Sequence, residues 1–351
     1  MKLKVLIYLN TSVIGFSYIQ QQIASLPNDW SITVLTPSDF YSNLFSRDVE
    51  KVEYNYASNA EGNRYNFDYN KISSLPPYDL VINHQPEITA NLKSALFNER
   101  GGKPLIINYF HWIDCKESTE SELNGAAWRQ IEGINMADLS LFHSWYGIKL
   151  MDQSRNAYGL SWVDKQPLIS TFTPAPTIYG QQAITLVPDN KKIILFNHKL
   201  NDRTGWEEVV KNLTEIRKQR DDFVLWIADD MKFDEPWIIA KKPHYETYGY
   251  LYKNSHFSIT NTKGFTIWDQ DVVDSLQNGC VPLAPHNEFY SSILGSDFIQ
   301  HGSVSKYGNM TECINGLLDL PKDKVNVWIE QAEIKHDTDI VKWVEEVLSK
   351  P

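Results

Sequence analysis

The sequence predicts an α/β protein of two similar halves, each a parallel sheet with helices on both faces. Three observations lead there. Its 351 residues exceed what one ordinary core encloses and suit two domains, each able to bury a core unaided. Short apolar runs alternate with segments of helical length and pattern. The alternation breaks once, in the proline-containing stretch LISTFTPAPTIYG (168–180), and restarts after PDNKK.

In the first half the strand candidates are KVLIYL (4–9), SITVLT (31–36), LVIN (80–83), LIINYF (105–110) and LSLFHS (139–144). Helical patterns lie between them at 18–26, 88–98 and 122–136. Strands apolar on both faces and separated by helices form parallel sheets, because each connection must cross over. The second half repeats the scheme: IILFN (193–197), a helix near 205–219, FVLWIA (223–228), SHFSIT (255–260), a helix near 269–278 and CVPLAP (280–285). Near the C-terminus, Ile340, Val341, Trp343, Val344 and Val347 recur at helical spacing. That helix either closes the surface or crosses back to brace the first half. The predicted division is 1–172, 173–335 and a final helix in 336–351.

Hydrophobic residues make up 42% and charged residues 22%, the balance of a soluble globular protein, and no run of about 18 apolar residues is present to span a bilayer. The opening MKLKVLIYLN runs into TSVIGFSY without a small-residue cleavage site, so it reads as a first strand. Cys115, Cys280 and Cys313 are odd in number and lack metal-type spacing, which argues against a disulfide framework or structural zinc and favours the cytoplasm. With 33 basic and 44 acidic residues the net charge is −11, which counts against a partner gripped mainly through a phosphate backbone. A locally basic cleft is compatible with that total. The 18 tyrosines and 11 tryptophans serve equally as core, sugar platforms or base-stacking platforms.

Two stretches carry chemistry. FNHKLNDRTGWEEVV (196–210) sets Lys199 and Arg203 where a strand gives way to a helix, so both cations can converge with helix amides on a diphosphate. A solvated turn with incidental cations is an equal reading. In NTKGFTIWDQDVVDSLQNGCVPLAP (261–285), Lys263-Gly264-Phe265-Thr266 can form a tight loop whose amides approach a phosphate. Asp274, one turn before the end of the following helix, can accept both hydroxyls of a ribose, whereas Asp269 and Asp271 fit the helix's exposed face.

This combination resembles the donor half of the GT-B glycosyltransferases, whose two Rossmann-like domains face each other across a cleft. The family pattern E-A-M-A-x-G-x-P-V reads DSLQNGCVPLA here, with Asp274 at the ribose-binding position, and the first Glu ahead of the glycine loop reads as Lys263. The resemblance implies a nucleotide-sugar donor, expected to be a UDP-sugar, with no cofactor besides it and no metal. It assigns Lys199, Arg203, Phe265 and Thr266 to the diphosphate, and Gly249 and Tyr250 to the base. Asn10 and Ser12 occupy the place of the usual glycine-rich loop.

The first half is similar to the T4-type α-glucosyltransferases of phage DNA. INYFHWIDCKES and GINMADLSLFHSWYGIKL match through Tyr109, His111, Ala137, Asp138, His143 and Ser144. The family's catalytic His falls on His111; Trp112 stands where the family has an Asp, and the nearest acid is Asp114. NHKLNDRTGW is also similar to a segment of GT-B enzymes that mannosylate queuosine in tRNA. The resemblance implies retaining transfer to a hydroxylated or hydroxymethylated pyrimidine, preferably a modified cytosine, of phage DNA in the host cytoplasm. His111 and Asp114 would be catalytic, with Asn10, Ser12, His84 and Trp112 on the acceptor side. His143 and His198 are secondary candidates; Arg129, Lys149, Arg155 and Lys165 would supply basic charge. A glycan, lipid-linked sugar or tRNA base is the alternative acceptor, and a non-catalytic two-domain sugar- or nucleotide-binding protein is the alternative from another class.

Overall fold

All strand pairings among the described residues are parallel, as strands separated by crossover helices require. The structure, a computed structural model, describes residues 2–9, 16–36, 47–53, 67–97, 103–111, 113, 125–157, 159, 168–169, 180, 182–183, 186–187, 190–201, 204–262, 269–295, 298, 300–301, 309–332 and 339–349. The chain divides into two units, Met1–Ala175 with Lys335–Pro351, and Pro176–Ile334.

The first unit runs β1 (Lys4–Tyr8), α1 (Phe16–Ser25), β2 (Ser31–Thr36), β3 (Glu50–Glu53), α2 (Tyr69–Ser73), β4 (Leu80–Asn83), α3 (Thr89–Leu96), β5 (Leu105–Phe110), α4 (Gly125–Met136), β6 (Leu139–Phe142), α5 (Trp145–Ala157) and β7 (Leu168–Ile169). Its sheet order is β3-β2-β1-β4-β5-β6-β7, so the order reverses between β1 and β4. The central strands are buried along nearly their whole length, which is why they read as continuous apolar runs. Leu6, Tyr8, Val81, Ile88, Leu92 and Ile106 pack in one core cluster on this sheet.

The second unit runs β8 (Lys192–Phe196), α6 (Trp206–Arg217), β9 (Phe223–Ile227), β10 (Ile238–Ala240), α7 (Tyr245–Asn254), β11 (Ser255–Ile259), α8 (Gln270–Gln277), β12 (Pro282–Pro285), α9 (Glu288–Leu294), β13 (Gln300–His301), α10 (Met310–Asp319) and α11 (Lys322–Asn326). Its order, β10-β9-β8-β11-β12-β13, reverses between β8 and β11. Ile193, Leu195, Val224 and Trp226 of β8 and β9 pack against Leu251 and Tyr252 of α7. The helix ends follow local chemistry: Asp269, Asn287 and Asn309 cap α8, α9 and α10 by accepting backbone N–H bonds. Helix α12 (Ile340–Leu348) is grouped with the first unit, capped by Asp339, and buries Val344. Among the described residues no helix is long and apolar enough to cross a membrane.

Candidate active site

In an open parallel sheet, ligands bind beyond the carboxyl ends of the strands where the strand order reverses. In the second unit that place lies past β8 and β11. The residues that follow β8 are Asn197, His198 and Lys199. The turn around Lys199 is pinned: the Thr204 hydroxyl lies 2.8 Å from the Lys199 carbonyl, and the Leu200 N–H reaches Asp229 Oδ2 at 3.3 Å. Lys199 itself is exposed, so its ammonium is presented from a fixed turn. Gly205 starts α6 with φ +61°, and a Cβ there would come within 2.7 Å of the Asn261 carbonyl oxygen. Only glycine combines that backbone with that approach.

A network fills the space behind this turn. His198 Nδ1 meets Asp271 Oδ2 at 2.9 Å. The Asn197 side-chain amide donates to Asp271 Oδ1 at 2.9 Å and also to the Tyr252 hydroxyl. Asp269 is buried and accepts from its neighbours: its Oδ2 lies 2.8 Å from the Thr260 hydroxyl and 2.7 Å from the Tyr290 hydroxyl, and its Oδ1 receives the Asp271 N–H. Burial by itself would lower the His198 pKa, but the Asp271 and Asp269 carboxylates outweigh it and raise it to about 9. The pair thus favours the imidazolium form of His198, while burial pushes the Asp271 carboxyl upward.

His198, Asp269 and Asp271 each offer a ligand-type atom, all within 4.8 Å of one another. The imidazole nitrogen is tied to Asp271, and both Asp269 oxygens already accept hydrogen bonds. The set forms a hydrogen-bonded, ion-paired network. This corrects the expectation that Asp269 and Asp271 lie on an exposed helix face: Asp269 caps α8 from a buried position, and Asp271 turns inward to His198.

The other donor-side candidates fare differently. Asp274 is 2% exposed, and its Oδ1 accepts from Gln270 Nε2 at 2.8 Å, so one of the two oxygens expected for a ribose already has a donor within the helix. Gly249 and Tyr250, expected to present backbone groups to a base, lie inside α7. There the Gly249 N–H is bonded to the Gly180 carbonyl at 3.0 Å. Arg203, Phe265 and Thr266 lie outside the described residues, as do Asn10, Ser12, Trp112 and Asp114.

In the first unit, three histidines follow three adjacent strands. His84 comes after β4, His111 after β5 and His143 after β6. Phe110 and Phe142 pair in register and stack at 4.3 Å, and alternation along the strand turns the next residues, His111 and His143, to the opposite face. The imidazoles join in a chain: His84 Nδ1 to His111 Nε2 at 2.7 Å, and His111 Nδ1 to His143 Nε2 at 2.9 Å. Tyr109 stacks beside His84 at 5.6 Å. Burial holds all three well below the ordinary imidazole value, His84 and His143 at about 3. Each is neutral, and both ring nitrogens of His111 are engaged by its neighbours.

Beneath this row, Asn83 and Asn108 pair across β4 and β5. The Asn83 amide donates to Asn108 Oδ1 at 2.9 Å and the Asn108 amide to the Gly133 carbonyl at 3.0 Å. Asp138 accepts the Ile106 N–H at 2.8 Å and so ties β6 to β5. One secondary candidate, His198, gains weight here, and one residue is new to the site. His198 gains its charge from a partner 73 positions away, invisible to local pattern. Trp145, next to Ser144 at the start of α5, is 65% exposed, the highest value among the large apolar side chains of the described residues.

No protein-family model matches the sequence, and comparison with curated protein sequences gives no match. Solved structures do match in fold. HepE of Anabaena, in complex with UDP-glucose, superposes with a TM-score of 0.68 at 12% identity, covering 99% of this chain and 100% of that one. A UDP-forming α,α-trehalose-phosphate synthase from Burkholderia xenovorans gives 0.61 at 9% identity over 94% of each chain. A Listeria monocytogenes protein provisionally assigned as a UDP-N-acetylglucosamine 2-epimerase gives 0.58 at 13% identity, covering 99% and 95%. The chain thus has two parallel-sheet α/β domains of the GT-B type. The likeness concerns the fold, since transfer and epimerisation both occur among these names.

Proposed function

We propose that the chain is a glycosyltransferase that moves a hexosyl or pentosyl group from a UDP-sugar to a hydroxylated or hydroxymethylated pyrimidine of phage DNA, in the host cytoplasm. The observation that carries the donor half is the edge past β8 and β11. There the strand order reverses and Lys199 stands exposed on a pinned turn. The similar fold of HepE, which was solved with UDP-glucose, supports the choice of nucleotide.

In the reaction, the bond between the sugar C1 and the phosphate oxygen breaks as the acceptor oxygen bonds to C1. UDP departs. Attack from the face that UDP leaves gives retention, with the acceptor's proton passing to the departing phosphate oxygen. Lys199 and Arg203 counter the charge on that group, so the scheme calls on no metal. Asp274 and the Phe265-Thr266 loop complete the donor assignment.

The acceptor half rests on the residues shared with the phage enzymes. Tyr109 lies in β5 against His143, His111 and His143 belong to the row past β5 and β6, and Trp145, two residues after His143, offers an exposed ring on which a base can stack. Asp114 is assigned by resemblance as the acid nearest that row. With both its nitrogens occupied, His111 acts by orienting the row rather than by meeting the acceptor directly.

The test is mass spectrometry of DNA containing hydroxymethylcytosine, beside unmodified DNA, after incubation with the chain and UDP- or GDP-sugars. A sugar mass on the modified base alone, lost with Lys199→Ala, is the expected result. Sugar-nucleotide hydrolysis without transfer would remove the DNA acceptor, and no turnover with any donor would favour the binding-protein alternative.

A further inference from the structure

We propose that His198, held by Asp271, is a catalytic residue of this chain: its Nε2–H donates to the donor's diphosphate and strengthens that bond as UDP leaves. The inference rests on the donor reading above and adds a residue to it. His198 directly follows β8 and precedes Lys199. Its Nδ1 is tied to Asp271 Oδ2 at 2.9 Å, which fixes the ring and turns Nε2 away from that carboxylate. Nε2 makes no hydrogen bond among the described residues.

The arrangement has the parts of a positioned acid. Asp271 does not wander, because the Asn197 amide holds its other oxygen at 2.9 Å and its backbone lies in the first turn of α8. Asp269, capping α8, is itself held by Thr260 and Tyr290. Asp271 is thus a positioning residue: it keeps the ring oriented and ionised without needing to touch substrate. The charged groups that act on the ring are Asp271 and Asp269 at the start of α8; Lys199 follows it in the same turn, Tyr252 and Tyr248 of α7 meet the network through Asn197 and Asp271, Tyr290 of α9 through Asp269, and Asp274 lies further along α8. Burial, then the Asp271 and Asp274 carboxylates, push the Tyr248 phenol upward, so it remains neutral across the working range.

The chemistry explains why two carboxylates stand where a dianion is expected. Alone they would repel a diphosphate. Paired with an imidazolium they instead keep a cation in place where a neutral histidine would otherwise be favoured by burial. No proton need be transferred: the N–H···O bond gains strength as negative charge collects on the leaving oxygen, and the acceptor's proton follows the course already given.

The experiment is calorimetric titration of UDP, uridine and inorganic pyrophosphate into the full chain, wild type, His198→Gln and Asp271→Asn, at pH 7.5 and pH 9.5. At pH 7.5, His198→Gln is expected to weaken UDP about tenfold and leave uridine unchanged. At pH 9.5 about a quarter of the rings remain charged, so the gap between wild type and His198→Gln should narrow to about threefold. Because the same ligand titrates against both proteins, the difference isolates the imidazole. Asp271→Asn should show the reduced UDP affinity already at pH 7.5, since its histidine loses the proton nearer neutrality.

Equal UDP affinity of wild type and His198→Gln at pH 7.5 overturns the proposal, as does a parallel loss of uridine, which would mark a structural role. Binding of Mn²⁺ alone that depends on Asp271 also overturns it, in favour of a metal site. If UDP does not bind but pyrophosphate binds through His198, the anion contact stands and the nucleotide reading falls; if neither binds, both fall. Imidazole ¹⁵N resonances of the wild-type chain give a check that needs no variant, with His198 expected to remain protonated at pH 7.5 and a neutral ring contradicting the assignment.

Discussion

His111 was the sequence's foremost catalytic candidate, and its surroundings change what it can do. Its Nε2 meets one imidazole and its Nδ1 meets another, which holds the ring in a row. The row also has a cost in acid. In the folded chain His84 and His143 titrate at about 3, against about 6.5 unfolded, so between these values the unfolded state binds more protons. Stability should be full above pH 6.5 and fall as pH drops toward 3, by about 2 kcal/mol per histidine between pH 7 and 5. His198 works in the opposite sense. Its pKa is raised to about 9, so its contribution is complete below pH 6.5 and is lost as pH rises through 9. Thermal melts across pH check both limbs: Asp271→Asn should remove the alkaline limb and leave the acid one. Trp145→Ala, at an exposed position, should leave the melting temperature nearly unchanged while weakening the DNA acceptor about tenfold, as loss of base stacking would. The histidines were visible in sequence as polar residues closing apolar runs. Their junction was not, because it depends on the register that sets Phe110 opposite Phe142.

At the scale of elements, two glycines bring segments together more closely than any side chain permits. A Cβ on Gly205 would sit 2.4 Å from Asn261 Nδ2 and 2.7 Å from its carbonyl oxygen, at a backbone φ of +61°. Gly205→Ala should therefore destabilise the chain by about 1–3 kcal/mol in urea titration, and donor binding should weaken because Lys199 loses its pinned turn. Gly133 lets α4 approach the short 3₁₀ turn Pro86–Ile88, where a Cβ would come within 2.2 Å of the Pro86 carbonyl oxygen. The long buried strands were legible as apolar runs, and the helix opening after Asp269 was legible through its length and periodicity. Helix α7 was not: YETYGYLYKN has a glycine and four tyrosines, residues of weak helical preference, and its order comes from packing Leu251 and Tyr252 against β8 and β9. The edge strands β7, β10 and β13, with two, three and two residues, are too short to show any period.

Across the whole chain, both sheets repeat one plan, two strands outward on one side of a first strand and the remainder on the other. The parallel pairing was implied by the alternation of strands and helices; the strand order was not. What alternation does not reveal is which polar residues gather at the reversal point, since Asn197, His198, Thr260 and Asp271 come from separate stretches. With a net charge of −11, any grip on DNA must be local, so transfer to DNA should decline steeply as salt rises while UDP-sugar hydrolysis changes little. Release of UDP from UDP-glucose, measured for the wild-type chain and for Lys199→Ala, tests the central claim most directly. The account predicts UDP from the wild type and at least a tenfold slower release from the variant; no UDP from any sugar nucleotide, or equal rates from both proteins, would contradict it.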